Sequence, residues 1–66
     1  MVIMKDKDLA ALTGKIGVTD SDLDPLGTVL IDNEIYDVET DGEFVDAGRG
    51  VRVIRVRGSK IVVKKV

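Results

Sequence analysis

No cysteine and no histidine occur in these 66 residues, and there is no tryptophan. Without cysteine there is no disulfide framework and no thiolate metal site. Without histidine, the commonest general base and the usual imidazole ligands of zinc are also missing, which removes most hydrolytic mechanisms. Aromatic side chains are scarce as well, with a single tyrosine and a single phenylalanine. Long apolar runs are absent. The longest contain four residues, 1–4 and 9–12, far short of the roughly 20 a membrane-spanning helix needs. There is no secretory signal, so the expectation is a soluble chain. A domain of this size hides only about 60% of its unfolded surface, which leaves a core just large enough to fold around.

Net charge is only −2, but it is unevenly placed. Residues 1–46 hold 12 acidic and three basic side chains, a balance of −9. Residues 47–66 hold seven basic side chains and no acid, a balance of +7. Such a basic segment suits a nucleic-acid surface. It equally suits a hairpin lying beside acidic strands, each pair worth a few tenths of a kcal/mol. The second reading fits the near-neutral total and is the one adopted here.

What the chain does have is valine and isoleucine, 11 and six of them, punctuated by seven glycines. β-branched side chains pack well on a pleated surface, and short runs between glycines read as an all-β barrel or sandwich. The one helical candidate is Asp6 to Leu12, "DKDLAAL", ended by Gly14 and short enough to act only as a docked cap. Five strands follow. "KIGVT" places Ile16 and Val18 on one face, with Gly17 between them permitting a bulge or a close backbone approach. "GTVLI" turns Val29 and Ile31 inward, and Asp32-Asn33 makes a hairpin turn to "EIYDVET", where Tyr36 and Val38 face in and Asp37 and Glu39 face out. Asp41-Gly42 ends that strand. In "VRVIRVR", Val51 and Val53 share one parity and Val56 has the other, which predicts a β-bulge near Val53–Ile54. Gly58-Ser59 turns the chain into "KIVVKKV", with Ile61 and Val63 inward. Five short strands with one long connection before the fourth suggest a small Greek-key barrel, OB-like or SH3-like.

The stretch "TDSDLDPLG" carries aspartates at 20, 22 and 24, the opening rhythm of a calcium loop. Counting from Asp20, however, proline stands sixth, where an EF-hand needs glycine, and isoleucine stands twelfth, where it needs glutamate. The residues therefore read as a turn. Asp20 or Asp22 accepts turn amides, Leu23 plugs the barrel mouth, Pro25 fixes φ, and Gly27 admits the chain to the next strand. No metal or cofactor is expected.

Gly14, Gly17, Asp22 with Leu23, Pro25 and Gly27 form G-x-x-G-x-x-x-x-D-L-x-P-x-G, and "EIYDVETDGEFVDAG" adds Tyr36, Asp37, Gly42, Phe44 and Gly48. With Val51, Val53, Gly58 and the apolar Ile61 to Val63, this pattern resembles the NfeD C-terminal domain across residues 9–66. Val38 departs from it, standing where the family usually has a small residue. The resemblance implies a five-stranded OB-fold barrel at 14–66, preceded by an N-terminal segment at 1–13 with a short helical cap. It also implies the cytosolic tail of a membrane protein with upstream transmembrane helices. Such proteins act with stomatin- or flotillin-type (SPFH) scaffolds in membrane organisation or quality control, including regulation of membrane protease activity. Longer relatives add a ClpP-like serine protease domain with a Ser-Lys dyad. These 66 residues contain none of it, and would be a soluble fragment or a product without the helices.

Among the residues themselves no catalytic set is apparent. Ser21 and Ser59 lie in turns, and Ser59 and Lys60, adjacent in sequence, send their side chains apart. The expectation is a non-catalytic protein-interaction module whose partner is a stomatin/flotillin-type scaffold or a membrane peptidase. The partner surface is assigned to the connection Asp41 to Gly50, with Phe44, Val45 and Arg49, together with Arg52. If Phe44 and Val45 are exposed they form an interaction patch; otherwise Phe44 closes the end of the barrel. The alternative is single-stranded nucleic acid held by the arginine-rich hairpin, although the stacking aromatics that binding normally needs are scarce.

Overall fold

Alternating β-branched residues and well-placed turns generate five strands in the computed structural model, which describes residues 9–66. These are β1 (Ile16–Thr19), β2 (Leu26–Ile31), β3 (Glu34–Glu39), β4 (Gly50–Arg57) and β5 (Lys60–Lys65). They form a closed barrel in the order β1-β2-β3-β5-β4, the Greek-key connectivity of an OB-fold. Every neighbouring pair is antiparallel except β3 and β5, which run parallel and register at Glu39 and Val62. A 3-10 turn, Leu9–Leu12, precedes β1 and buries Leu12. It docks on β4 through Gly14 N–H donating to the Val53 carbonyl at 2.7 Å and Val53 N–H donating to the Lys15 carbonyl at 2.9 Å. The Asp6–Asp8 part of the predicted helix lies outside the described residues.

The turns follow the local sequence. Asp32 and Asn33 both take positive φ (50° and 69°), so β2 and β3 join through a two-residue hairpin whose left-handed backbone suits these two side chains. The register of β4 against β5 shifts between Val53 and Arg55. That bulge puts Val51 and Val53 inside before it and returns Val56 to the inner side after it. The interior is mostly aliphatic, with Thr19 and Thr40 the buried polar side chains among the described residues. Leu23, Val29, Ile31, Val45, Val51, Val53 and Val63 are fully buried, and Tyr36 is half-buried against them. Val38 is buried too, and its register partner across the β2–β3 ladder is Gly27, so a larger side chain stands opposite a residue that has none.

β1 is oriented with Ile16 and Val18 on the outer face. Gly17 and Thr19 point in, and Gly17 does so because β2 comes too close for anything larger. A Cβ there would lie 2.6 Å from Ile31 Cγ1 and 2.7 Å from the Leu30 carbonyl oxygen. Val29 and Ile31 already fill that part of the barrel.

Candidate partner-binding surfaces

The β3–β4 connection is not a free loop, despite its glycines. Thr40 Oγ1 donates to the Glu43 carbonyl at 2.6 Å and accepts from Gly42 N–H at 3.2 Å. Val45 and Leu23 exchange a pair of backbone hydrogen bonds, at 2.8 and 3.0 Å, forming an isolated antiparallel bridge. Asp22 Oδ1 accepts from Ala47 N–H at 2.9 Å. Thr19 Oγ1, from inside the barrel wall, donates to the Asp46 carbonyl at 2.7 Å and accepts from Arg49 N–H at 2.8 Å. The aspartate-rich loop is therefore a clasp. Ser21 Oγ satisfies the local turn by accepting from Thr28 N–H, while the Asp22 carboxylate reaches across to the other connection rather than to its own turn. Among the described residues no three potential metal ligands converge.

This clasp decides the fate of the predicted site. Val45 is buried (1% exposed) and paired with Leu23, so the two close the barrel end, and Val45 is corrected from a surface residue to a core residue. Phe44, next to it and on the opposite side of the bridge segment, is 50% exposed on a backbone pinned at both ends. Arg49 is exposed on the same connection, and its carbonyl accepts from Thr19 N–H. Arg52 is exposed on β4, opposite Ile16 of β1 on one side and Lys64 of β5 on the other. It belongs to a different surface from Phe44.

A second surface had only a partial sequence signal. Val18 is in register with Leu30, and Leu30 with Ile35, so three aliphatic side chains form a row across the outside of β1, β2 and β3. Ile16, two residues before Val18, extends it. Their exposures are 50% for Ile16, 48% for Val18, 41% for Leu30 and 53% for Ile35. Alternation identified Ile16 and Val18 as sharing a face but could not say that the face was the outer one.

The charged surfaces separate by strand. The outer face of β2–β3 has Thr28 opposite Asp37 and Leu26 opposite Glu39, and the adjoining β1–β2 loop carries Asp20, Asp22 and Asp24. Most of the basic residues lie on the outside of β4 and β5, Lys15 and Arg49 being the exceptions among the described residues. Among the described residues the expected neutralisation is realised at one place, where Arg55 Nη2 meets Asp41 Oδ1, on the connection after β3, at 2.8 Å. It is not more extensive because β4 lies between β5 and β1, whose outward residues there are Ile16 and Val18, and because β3 touches β5 at a single ladder position. The other described ion pair is elsewhere: Lys15 Nζ to Asp32 Oδ2, 2.7 Å.

An open groove of about 450 Å³ lies between β2–β3 and the β4–β5 turn, bordered by Leu26, Val38, Ser59, Lys60 and Ile61. Ser59 and Lys60 both reach it, yet both are exposed and no hydrogen bond joins them. Nothing holds a nucleophile against a base there.

A model of the NfeD-like C-terminal, partner-binding domain matches residues 9–65. The chain belongs to that family. Over 55 residues it is 47% identical to membrane protein NfeD1b of Bacillus subtilis (strain 168), a match covering 83% of this chain and 13% of that protein. These 66 residues thus span only a small part of that curated relative's length. Two solved NfeD-type structures are similar in fold. The C-terminal domain of stomatin operon partner protein 1510-C from Pyrococcus horikoshii superposes with a TM-score of 0.80 at 23% identity, covering 85% of this chain and 89% of that one. The soluble domain of a Corynebacterium glutamicum membrane protein implicated in regulation of membrane protease activity gives 0.76 at 26% identity, covering 83% and 92%. The family is described by its binding of a partner. Among the described residues no helix is long and apolar enough to cross a membrane.

Proposed function

We propose that this NfeD-like barrel is the soluble interaction module of a membrane protein, on the cytoplasmic face, and acts with a stomatin- or flotillin-type scaffold or a membrane peptidase to organise the membrane or regulate proteolysis there. The observation that carries the reading is the aliphatic row Ile16, Val18, Leu30 and Ile35. The barrel interior is filled without them, and side chains of this kind gain free energy only when something covers them. Phe44 on its pinned connection, with Arg49 five residues further along it, is a second contact already ordered before binding, so little entropy is lost in fixing it.

Single-stranded nucleic acid is less well served. OB-folds usually bind it on the β2–β3 face and the adjoining loops. Here that face and the β1–β2 loop carry Asp20, Asp22, Asp24, Asp37 and Glu39, which repel phosphate, and Tyr36 is packed against the core, so the cations Arg57 and Lys60 at the β4–β5 turn have no stacking surface beside them.

The test is an affinity pull-down with this domain from detergent-solubilised extract of its source cells, analysed for both protein and nucleic acid. A scaffold or peptidase should be recovered at moderate salt and lost with Leu30→Asp. Phe44→Ser should weaken capture while stability stays within about 0.5 kcal/mol, as expected for an exposed position. Recovery of nucleic acid alone, or of a protein captured equally by parent and Leu30→Asp, would overturn the reading.

A further inference from the structure

Five cations point outward from β4 and β5: Arg52, Arg55, Arg57, Lys60 and Lys64. The register sets two like-charged pairs directly opposite one another, Arg52 with Lys64 and Arg57 with Lys60. Like charges in directly opposed positions work against a sheet. Arg55 alone among the five has a described counter-ion, Asp41, and Glu39 borders the space it shares with Arg57 and Lys60. Counting those two acids, the strip retains a net charge of +3. It runs from Arg52 to Arg57, about 17 Å at the rise of a strand. At the Arg52–Lys64 end it is bordered by Lys65 and by two apolar side chains, Ile54 and the exposed Val66. The fold gains nothing from the two like-charged pairs, and a surface bearing the opposite charge would relieve them.

We infer that the outer face of the β4–β5 hairpin docks on an anionic phospholipid surface. The inference rests on the reading above, in which the rest of the protein keeps the domain beside a membrane. Attraction then has only to orient it, and a few unneutralised cations suffice. Lipid fits better than nucleic acid because the strip presents no aromatic side chain for a base to stack on. The long Arg and Lys stems can lie along the interface with their charged heads at the lipid phosphates. Ile54 and Val66 can enter the acyl boundary, for which a phosphodiester backbone has no equivalent. Docking on this side leaves Leu30 and Ile35, on β2 and β3, away from the lipid and open to a protein.

The experiment is sedimentation of this chain with phosphatidylcholine vesicles, either pure or containing roughly one-third phosphatidylserine. Binding is expected to the anionic vesicles only and to fall as salt shortens the screening length. Arg52→Gln and Lys64→Gln should each lower the partition coefficient about fivefold, with thermal stability unchanged or raised, which separates lost binding from lost folding. Leu30→Asp should leave vesicle binding intact. Equal binding to both vesicle types, indifference to the two substitutions, or tighter binding of a single-stranded oligonucleotide than of anionic vesicles at the same salt would each overturn the inference. Because Leu30→Asp reads partner capture separately, vesicle binding without a protein partner would overturn the interaction reading alone. Capture of a partner without vesicle binding would overturn only this one.

Discussion

Replacing Gly17 with alanine isolates a steric requirement from a conformational one. Gly17 is not among the glycines with positive φ, so alanine meets no backbone strain there. Its Cβ would instead lie 2.6 Å from Ile31 Cγ1, 2.7 Å from the Leu30 carbonyl oxygen and 2.8 Å from Val29 Cγ1. Carbon contacts are comfortable at about 3.5–4.0 Å. Val29 and Ile31 are completely buried and have nowhere to turn, and the Leu30 carbonyl moves only if β2 moves. Overpacking of this kind costs typically about 1–3 kcal/mol, and obstruction by backbone puts Gly17 towards the upper end. Alanine's smaller unfolded-state entropy returns about 0.4–1 kcal/mol. The net loss is about 2 kcal/mol, a large share of the roughly 3–10 kcal/mol expected for a 66-residue domain. Thermal unfolding followed by circular dichroism should show Tm falling by about 8–16 °C. Gly50→Ala is the internal control: it is also a strand glycine without positive φ, and its Cβ would meet only Val66 Cγ2 at 3.2 Å, the end of an exposed side chain that can turn away. It should be nearly neutral. Val29→Ala in the Gly17→Ala background should cost less than Val29→Ala alone, because it removes one of the obstructing atoms. Equal Tm shifts at positions 17 and 50, or strict additivity of the double variant, would refute the steric account.

Thr19→Val keeps the shape but removes the hydroxyl that holds the β3–β4 connection, leaving the Arg49 amide without its partner. Stability should fall by about 2 kcal/mol, and hydrogen exchange at Arg49 should accelerate. Lys64→Glu turns one like-charged pair with Arg52 into an opposite-charged one and should raise stability by about 0.5 kcal/mol, an increase that salt diminishes. The hydrogen bond to Asp32, aided by its charge, raises the Lys15 pKa above its ordinary 10.5. A raised lysine value stabilises the fold fully below the unfolded-state pKa and loses that contribution as pH climbs through the folded-state value. The Tm difference between the parent and Lys15→Met should accordingly be constant through neutral pH and narrow on the alkaline side; a difference that widened there would be inconsistent with the pair.

How far the sequence could be read depended on whether a feature was local. The Asp32-Asn33 turn is fixed by two adjacent residues that tolerate positive φ. The bulge announces itself in the parity switch of "VRVIRVR". Proline and isoleucine at the wrong places argue against a calcium loop without reference to anything else. Other features depended on what came to lie opposite. In β1, alternation grouped Ile16 with Val18, but the side chains already filling the barrel from β2 decided which face was outside. Val45 and Phe44 are adjacent in an irregular segment, and the choice between them was made by Leu23, 22 positions earlier. The charge halves seemed made for mutual neutralisation, yet strand order put aliphatic β1, not an acidic strand, along one side of β4.

The closed barrel also constrains how the family's partner-binding role can be performed. Its strands close into a barrel, but β3 meets β5 at a single ladder position, so room for an added strand is confined to that seam and elsewhere recognition comes through side chains and loops. The four aliphatic residues of the outer row are about half exposed already, and full burial of such a side chain is worth about 1.5–3 kcal/mol. Covering all four therefore yields about 3–6 kcal/mol. Bringing two free proteins together costs on the order of 4–15 kcal/mol. The row alone cannot hold a partner from dilute solution, so Phe44 and its connection must add contacts, or the encounter must be intramolecular in effect. Tethering both partners to one membrane raises their effective concentration and multiplies weak contacts without any change to the interface. The barrel should accordingly bind a soluble monomeric partner weakly and a membrane-held or oligomeric one well, an ordering that surface-immobilised and free partners would display directly.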